Sequence, residues 1–379
     1  MIFGKKMIRR RWLALCGACI VLFMGVVLLL PSLLSCSDKM AFDGQFTIDH
    51  INKYTPVKDQ RRSQICWIYA TLSAIETTHL SLGDSVHLSP YFPLRNYLWE
   101  QARQYWSDKD EASFTSRSTA LTAIRLLQQY GAMPYDSYHR GEKVNINVLT
   151  DKTSLLAKHS LPLSKDFDAY SRKISDGIDD ALGYPSHHVF MFGMEYTPHE
   201  FARSVCAPDE YVGYTSFLHH PFYESFALEV PDNIDNSEYY NIPIDELTDM
   251  VCNAVIQGYG VCWEGDTSEP GFSFGQGFAV VTDEAEPSNV QEQRQKEFNK
   301  HKTTDDHCMA IVGLAHDDSG KQYLIMKNSW GKDNPYDGLM YMSIDYFKLK
   351  TIAVVMPKVS PQSTSRQHRQ DREQYICWH

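Results

Sequence analysis

The residue of this chain best suited to chemistry is a cysteine at the N-terminus of a predicted helix. Apolar residues recur at helical spacing from Ile65 to about Leu80, which predicts a helix with Cys66 in its first turn. Unpaired N–H groups and the helix dipole favour a thiolate there, and the thiolate is the nucleophilic form of cysteine. A cysteine among apolar residues is more often a core residue, so the nucleophile hypothesis depends on further groups.

Three further groups could complete an acyl-transfer site around this cysteine. His307 opens a strand-like run and Asn328 closes the next one, so a β-hairpin would bring imidazole and amide together. Gln60, six residues before Cys66, could donate an amide hydrogen bond to an oxyanion beside the nucleophile. Trp67 would supply an apolar wall. Together the four polar groups predict a cysteine nucleophile with a histidine base.

The elements that must position these groups divide the chain into a helical and a strand-rich part. Helical spacing and capping signals predict further helices over Pro93–Trp106, Thr119–Tyr130 and Asp166–Leu182, from Thr197 onwards, and from Pro243 to Gly258. Short runs rich in β-branched or aromatic residues follow: Gly260–Trp263, Gly277–Val281, Cys308–Ala315, Tyr323–Lys327, Leu339–Ile344 and Thr351–Met356. Helices followed by strands predict the α+β class.

The order Gln60, Cys66-Trp67, a histidine entering a strand, and Asn328-Ser329-Trp330-Gly331 resembles the papain family of cysteine peptidases. Leu88-Ser89-Pro90-Tyr91 and Val261-Cys262-Trp263-Glu264-Gly265-Asp266 are similar to its bleomycin hydrolase and aminopeptidase C branch. The resemblance implies a papain-like fold: a helical half whose central helix carries the nucleophile, a β-sheet or barrel half, and a cleft between them. It also implies that His307 is the base, that Asn328 orients it, and that Trp330 shields their bond.

The function implied by this resemblance is hydrolysis of peptide bonds by a thiol protease, with peptides as substrates. In that branch the chain end lies in the cleft and restricts attack to free N-termini, so we expect an aminopeptidase. An endopeptidase of the same fold and a non-catalytic peptide-binding surface lipoprotein stay open as alternatives. No cofactor is implied. The sequence leaves the oligomeric state open, a homo-oligomer included.

The first 36 residues have the layout of an export signal. A basic start is followed by an uncharged apolar run from Trp12 to Leu30 and then by Leu33-Leu34-Ser35-Cys36. The ending resembles a bacterial lipobox, which implies lipidation of Cys36; an uncleaved signal anchor is the alternative. We therefore expect an exported, membrane-anchored protein of the cell envelope. The peptidase domain would span 37–358, with a helical part over 54–257 and a β part over 258–358, before a polar tail over 359–379.

Other residue patterns exclude or disfavour further functions. The net charge of −11 argues against nucleic acid binding, and no CxxC pair follows the leader. His219-His220 has no carboxylate or cysteine at ligand spacing, so we expect two surface histidines and no metal site. Asp305-Asp306 is expected to form a solvated turn. Cys308, next to His307, is expected to be a core residue that faces the opposite side of the strand.

Overall fold

The computed structural model describes residues 45–108, 114–139, 144–191, 193–282 and 289–358. The predicted leader with Cys36, the residues up to 44 and the tail over 359–379 lie outside the described residues. Among the helices described, none combines the length and the apolar character that crossing a membrane would need.

The helices fall mainly in the first two thirds of the chain. They are α1 (Cys66–Leu82), α2 (Tyr91–Asp108), α3 (Ala120–Tyr130), α4 (Ile146–Ser160), α5 (Phe167–Leu182), α6 (Pro198–Val205), α7 (Ile244–Ile256), α8 (Val290–Asn299) and α9 (Ile344–Lys350), with short 3₁₀ turns at Tyr135–Ser137 and Leu161–Leu163. Helix α1 ends at Gly83, whose φ of 98° is the left-handed conformation that glycine adopts most easily. Thr197 and Glu200 form the predicted capping box of α6.

One large mixed sheet forms the centre of the molecule. Its strands are β1 (Phe46–Ile51), β4 (Tyr211–Thr215), β5 (Ser225–Ala227), β6 (Glu238–Asn241), β7 (Val261–Gly265), β8 (Phe272–Ser273), β9 (Phe278–Ala279), β10 (His307–Asp317), β11 (Gln322–Lys327), β12 (Leu339–Ser343) and β13 (Thr351–Pro357), whereas β2 (Val189–Met191) and β3 (Met194–Tyr196) form a separate hairpin. The order is β5-β6-β4-β13-β7-β10-β11-β12-β9-β8, and β1 also pairs with β10. Most neighbours are antiparallel; β4/β6 and β9/β12 are parallel.

Apolar side chains cover both faces of this sheet. One cluster joins helices α1 to α6 to the face that carries Cys262 and Cys308. The other packs α7 and α9 against the opposite face, which carries Trp263 and Met309. Because side chains alternate along a strand, neighbouring residues of β7 and β10 serve different cores. Helix α1 is thereby held against β10 and β7, which sets the position of its first residue.

The α+β class predicted from the sequence is confirmed, since helices pack on a large mixed sheet. The predicted strands after Gly258 correspond to β7 and β9 to β13. Strands β2 to β6 also occur earlier in the chain, between residues 189 and 241, where the sequence pattern predicted mainly helix. These short strands alternate buried and exposed residues over only three to five positions, too few for the period to stand out.

Candidate active site

The first residue of helix α1 is Cys66, the predicted nucleophile. The preceding Ile65 is buried, and its carbonyl accepts hydrogen bonds from the N–H groups of Ile68 and Tyr69, which closes the first turn. No side chain caps the free N–H groups of this helix end. The half-buried thiol therefore lies in the positive field of the helix N-terminus, as the sequence predicts.

The β10–β11 hairpin brings the predicted histidine and asparagine together. His307 starts β10 and Asn328 directly follows β11, and antiparallel pairing places these two ends side by side. The Nε2 atom of His307 lies 2.8 Å from the amide oxygen of Asn328. Both residues are buried. With Nε2 taken by Asn328, the other ring nitrogen of His307 is left to interact with Cys66.

Trp330 lies against the imidazole, with ring centroids 4.4 Å apart. Phe274 and Phe272 pack edge-on against the indole at 5.4 and 5.9 Å. This aromatic group covers the side of His307 that would otherwise meet water. A hydrogen bond in such a shielded site is stronger than the same bond in water.

Cys66 interacts with two neighbours, His307 and Cys308. Hydrogen bonding from the Cys308 thiol and the nearby charge of His307 hold the pKa of Cys66 well below its ordinary value, although burial alone would raise it. The same contact and burial raise the pKa of Cys308 well above its ordinary value. Both shifts have the same cause: the Cys308 thiol donates to the Cys66 sulfur, which favours the thiolate form of Cys66.

The structure confirms that Cys308 is a buried core residue but also gives it a contact with Cys66 that the sequence did not predict. The Cys308 side chain faces helix α1 and lines the same cavity as Cys66. Met309, the next residue, takes the opposite face of the sheet. Sequence spacing showed the alternation of β10 but not which of its two faces α1 would cover.

The side chain of Gln60 is fixed at both ends of its amide. Its oxygen accepts a hydrogen bond of 2.5 Å from the Ser329 hydroxyl, and its nitrogen donates to the carbonyl of Ser63 at 2.7 Å. The Ser63 carbonyl can only accept, so it identifies the nitrogen end of the amide, and the second N–H of Gln60 is left for the cavity that also holds Cys66. Backbone pairing of Gln60 with Ser329, at 2.8 Å, connects this residue to the strand end beside Asn328.

Trp67 is fully buried, and its indole N–H donates to the carbonyl of Ser116 at 2.9 Å. Its ring packs edge-on against Tyr97 at 5.2 Å. The residue thus anchors the start of α1 in the helical core. From its position after Cys66, Trp67 is predicted to form a wall for substrate. Only a small part of its side chain reaches the cavity lining, so this role is limited.

Carboxylates form the opposite wall of the cavity of about 290 Å³ beside Cys66. Arg117 binds the carboxylate of Asp232 through Nε at 2.8 and 2.9 Å, and its terminal nitrogen donates to the backbone carbonyl of Asp305 at 3.1 Å. The carboxylate of Asp305 accepts no hydrogen bond from any described residue. Burial and the nearby charges of Glu264, Asp232 and Cys66 raise its pKa well above its ordinary value.

The predicted solvated turn at Asp305-Asp306 is therefore wrong. Both residues are half-buried, and both line the cavity. Asp306 accepts hydrogen bonds from the backbone N–H and the hydroxyl of Thr267 at 2.8 and 2.9 Å. Its carboxylate holds the turn before β10 in place, whereas that of Asp305 is directed to no structural partner among the described residues.

Glu264 lies fully buried behind this wall, on β7 opposite Cys308. It accepts hydrogen bonds from the backbone N–H of Ala120, at the start of helix α3, and from Tyr239. Burial raises its pKa to about 7, against the lowering effect of these bonds. Sequence reasoning did not single out Glu264, Asp232 or Arg117 as site residues, because they come from separate segments, and Glu264 entered only as part of the family-like run from Val261 to Asp266.

Comparison with known proteins agrees with this geometry. The sequence model of the Peptidase C1-like family matches residues 188–379, which include His307 and Asn328. Aminopeptidase W of Lactobacillus delbrueckii subsp. lactis is 22% identical over 365 residues, covering 80% of each chain. The crystal structure of PepW from Lactobacillus rhamnosis HN001 superposes with a TM-score of 0.58 at 17% identity, covering 82% of each chain.

Proposed function

The chain belongs to the Peptidase C1-like family and is a cysteine peptidase, and from that premise we propose that it removes residues from the free N-termini of peptides. The observation that carries the proposal is the carboxylate of Asp305 beside Cys66. A free N-terminus is an ammonium group, and a half-buried carboxylate without a partner among the described residues is a suitable acceptor for it. The similarity to a protein named Aminopeptidase W also supports the proposal.

In the proposed reaction the Cys66 thiolate attacks the carbonyl carbon of the first peptide bond. The oxyanion that forms accepts hydrogen bonds from the free N–H of Gln60 and from the backbone N–H of Cys66, each worth about 3 kcal/mol in comparable sites. His307, as imidazolium, protonates the leaving amine, and the C–N bond breaks to give a thioester. His307 then accepts a proton from water, and the hydroxide cleaves the thioester to regenerate Cys66.

Asn328 is proposed to hold the imidazole in one orientation during both proton transfers. The 2.8 Å contact between its oxygen and Nε2 supports this role, because it directs the other ring nitrogen towards the sulfur. Trp330 would preserve that contact by excluding water. These residues act before and after bond cleavage without changing their own protonation.

The proposal is tested by matched substrates that differ only at the N-terminus. We expect the protein to release 7-amino-4-methylcoumarin from an aminoacyl amide with a free amino group and to leave the N-acetylated amide almost intact. A digest of a peptide library with free and blocked N-termini would show the same preference as stepwise shortening. Equal cleavage of free and blocked substrates, or cuts at internal bonds, would identify an endopeptidase instead.

We also propose that the peptidase is exported and tethered to a membrane of the cell envelope through Cys36. The basic start, the apolar run and Leu33-Leu34-Ser35-Cys36 support this proposal. Metabolic labelling with a radioactive fatty acid should mark the wild-type protein and not the Cys36→Ala variant. A wild-type protein that carries no fatty-acid label but still sediments with membranes would indicate an uncleaved anchor.

A further inference from the structure

Three potential metal ligands meet at the surface, outside the groups that surround Cys66. His219 and His220 follow β4, and Glu229 follows β5. One oxygen of Glu229 lies 2.7 Å from Nε2 of His219, and the other lies 2.8 Å from Nε2 of His220. One ligand atom from each residue lies within 4.8 Å of the others, and among the described residues this is the one such group of three. The carboxylate that the neighbouring sequence lacks is therefore supplied by the segment that follows the next strand, β5.

A second layer of contacts orients the ring of His219. The side-chain amide of Gln295, on helix α8, lies next to Nδ1, with its oxygen at 3.3 Å and its nitrogen at 3.0 Å. When Nδ1 carries the proton and donates to that oxygen, the lone pair of Nε2 points towards Glu229. Histidine ligands of metals are commonly fixed in this way by an outer acceptor. Gln295 is itself buried and also accepts from the N–H of Leu218.

The backbone that carries the two histidines is fixed by a buried amide. Asn241 is fully buried, and its nitrogen donates to the carbonyls of Phe217, His220 and Pro221 at 2.8 to 3.1 Å. The ring of His220 stacks on Phe226 with centroids 3.9 Å apart. Both imidazoles are thus placed before any ligand arrives, which lowers the entropy cost of binding one.

We propose that His219, His220 and Glu229 bind a divalent first-row transition cation such as Zn²⁺. Two imidazole nitrogens and one carboxylate oxygen are a common donor set for such ions, with water completing the coordination. An ion bound at about 2.1 Å from each ligand in tetrahedral geometry separates the ligand atoms by roughly 3.4 Å. Each Nε2 atom needs to move away from its present carboxylate oxygen by about 0.6–0.7 Å, from 2.7 Å for His219 and 2.8 Å for His220.

The ion would connect three parts of the chain, one of which continues to the cavity beside Cys66. His219 and His220 lie on the loop after β4, Glu229 starts the segment that continues to Asp232, and Gln295 belongs to α8. Asp232 in turn binds Arg117 in the wall opposite Cys66. The site offers only nitrogen and oxygen donors. This distinguishes it from Cys66 and His307, whose sulfur and imidazole could also bind a metal ion.

The test is a Co²⁺ titration of the full chain carrying Cys66→Ser, so that the catalytic sulfur cannot bind the ion. We expect visible d–d absorption without a thiolate-to-metal charge-transfer band for this site. Glu229→Gln, which preserves the shape of the side chain, should remove one bound equivalent of Co²⁺. Gln295→Ala should lower the affinity for that equivalent of Co²⁺ by about tenfold or more, because the ring of His219 is no longer held in place.

A matched control is His188→Ala, which removes an exposed histidine paired with Glu195 at 2.7 Å, with no third ligand beside them in the part of the chain that the structure describes. It should leave both the stoichiometry and the affinity for Co²⁺ unchanged. Circular dichroism of each variant without metal establishes that the fold is retained. The inference is overturned if the Glu229→Gln protein, folded as the parent, binds as many equivalents as tightly, or if the parent binds Co²⁺ only through sulfur.

Discussion

The two sides of the cavity around Cys66 are built in opposite ways. On the histidine side, Asn328 holds His307 and Ser329 holds Gln60, so the key polar groups already have partners. On the acidic side, the carboxylate of Asp305 accepts no hydrogen bond from the described residues, and burial raises its pKa. Under the proposed function the difference separates two tasks: the first side would be organised for bond cleavage before substrate binds, and the second would be completed by the ammonium group of the substrate.

The largest effect is expected on the histidine side. Cys66→Ala removes the attacking sulfur, so hydrolysis should fall to the level of the uncatalysed reaction while the melting temperature stays close to that of the wild type. Release of coumarin from a free aminoacyl amide and a thermal melt measure the two quantities. Cys206→Ala serves as control, since this buried thiol lies at the end of α6 and its burial raises its pKa to about 12. Activity retained in Cys66→Ala would refute the proposed nucleophile.

A smaller loss is expected from the oxyanion donor. Gln60→Ala removes the amide that Ser329 and Ser63 hold in place, and turnover should fall roughly a hundredfold with little change in KM. Gln64→Ala is the matched control, because this exposed amide also lines the cavity but is four residues further along. An unaltered turnover in the Gln60 variant would show that the oxyanion is stabilised elsewhere.

The acidic side should affect binding and leave bond cleavage unchanged. Asp305→Asn removes a charged hydrogen bond worth about 1.5–3 kcal/mol, so KM for a free aminoacyl amide should rise roughly ten- to a hundredfold. Residual cleavage of the acetylated amide should not change. Because the wild-type carboxyl must lose its proton to bind an ammonium group, the preference for free N-termini should increase with pH until the substrate amine itself loses its proton.

Asp306→Asn is the control for that experiment, since the neighbouring carboxylate is engaged by Thr267. It should affect the free and the acetylated substrate equally. If Asp305→Asn changes the kinetic constants for both substrates by the same factor, the carboxylate does not recognise the amine, and the aminopeptidase proposal loses its structural basis.

The smallest expected effect concerns stability on the acidic side. Burial raises the pKa of Glu264 from 4.5 to about 7, so between these values the folded protein holds a proton that the unfolded chain has lost. The free energy of unfolding contributed by this group therefore falls as pH rises from 4.5 to 7. Glu264→Gln should make the free energy of unfolding depend less on pH over that range, as measured by urea unfolding at several pH values. An unchanged slope would mean that Glu264 titrates normally.

The sequence predicted the histidine side well, because its information is local. Helical spacing located α1 within two residues of each end, and two adjacent apolar runs indicated the hairpin that joins His307 to Asn328. The acidic side could not be predicted in the same way. Asp232, Glu264 and Asp305 come from a loop, a strand and a turn, and only the packing of the sheet against α1 and α3 brings them together.

The same limit explains two other differences. The side of β10 that Cys308 occupies depends on which face of the sheet α1 covers, and the periodicity of a strand does not specify that. Helix α4 was not predicted, because several of its apolar positions, Val148 and Leu155 among them, are exposed and blur the helical pattern. Tertiary contacts, which a local pattern cannot contain, decide both.

The rate at which iodoacetamide alkylates Cys66, followed across pH by mass spectrometry, tests the central claim most directly. The account predicts rapid alkylation of this one thiol at pH values well below 9, with Cys206 and Cys262 protected by their raised pKa values. Cys308→Ala should move the inflection for Cys66 to higher pH, because it removes the thiol that donates to the sulfur. Alkylation of Cys66 that begins only near pH 9, with no effect of Cys308→Ala, would contradict the existence of an activated thiolate at the head of α1.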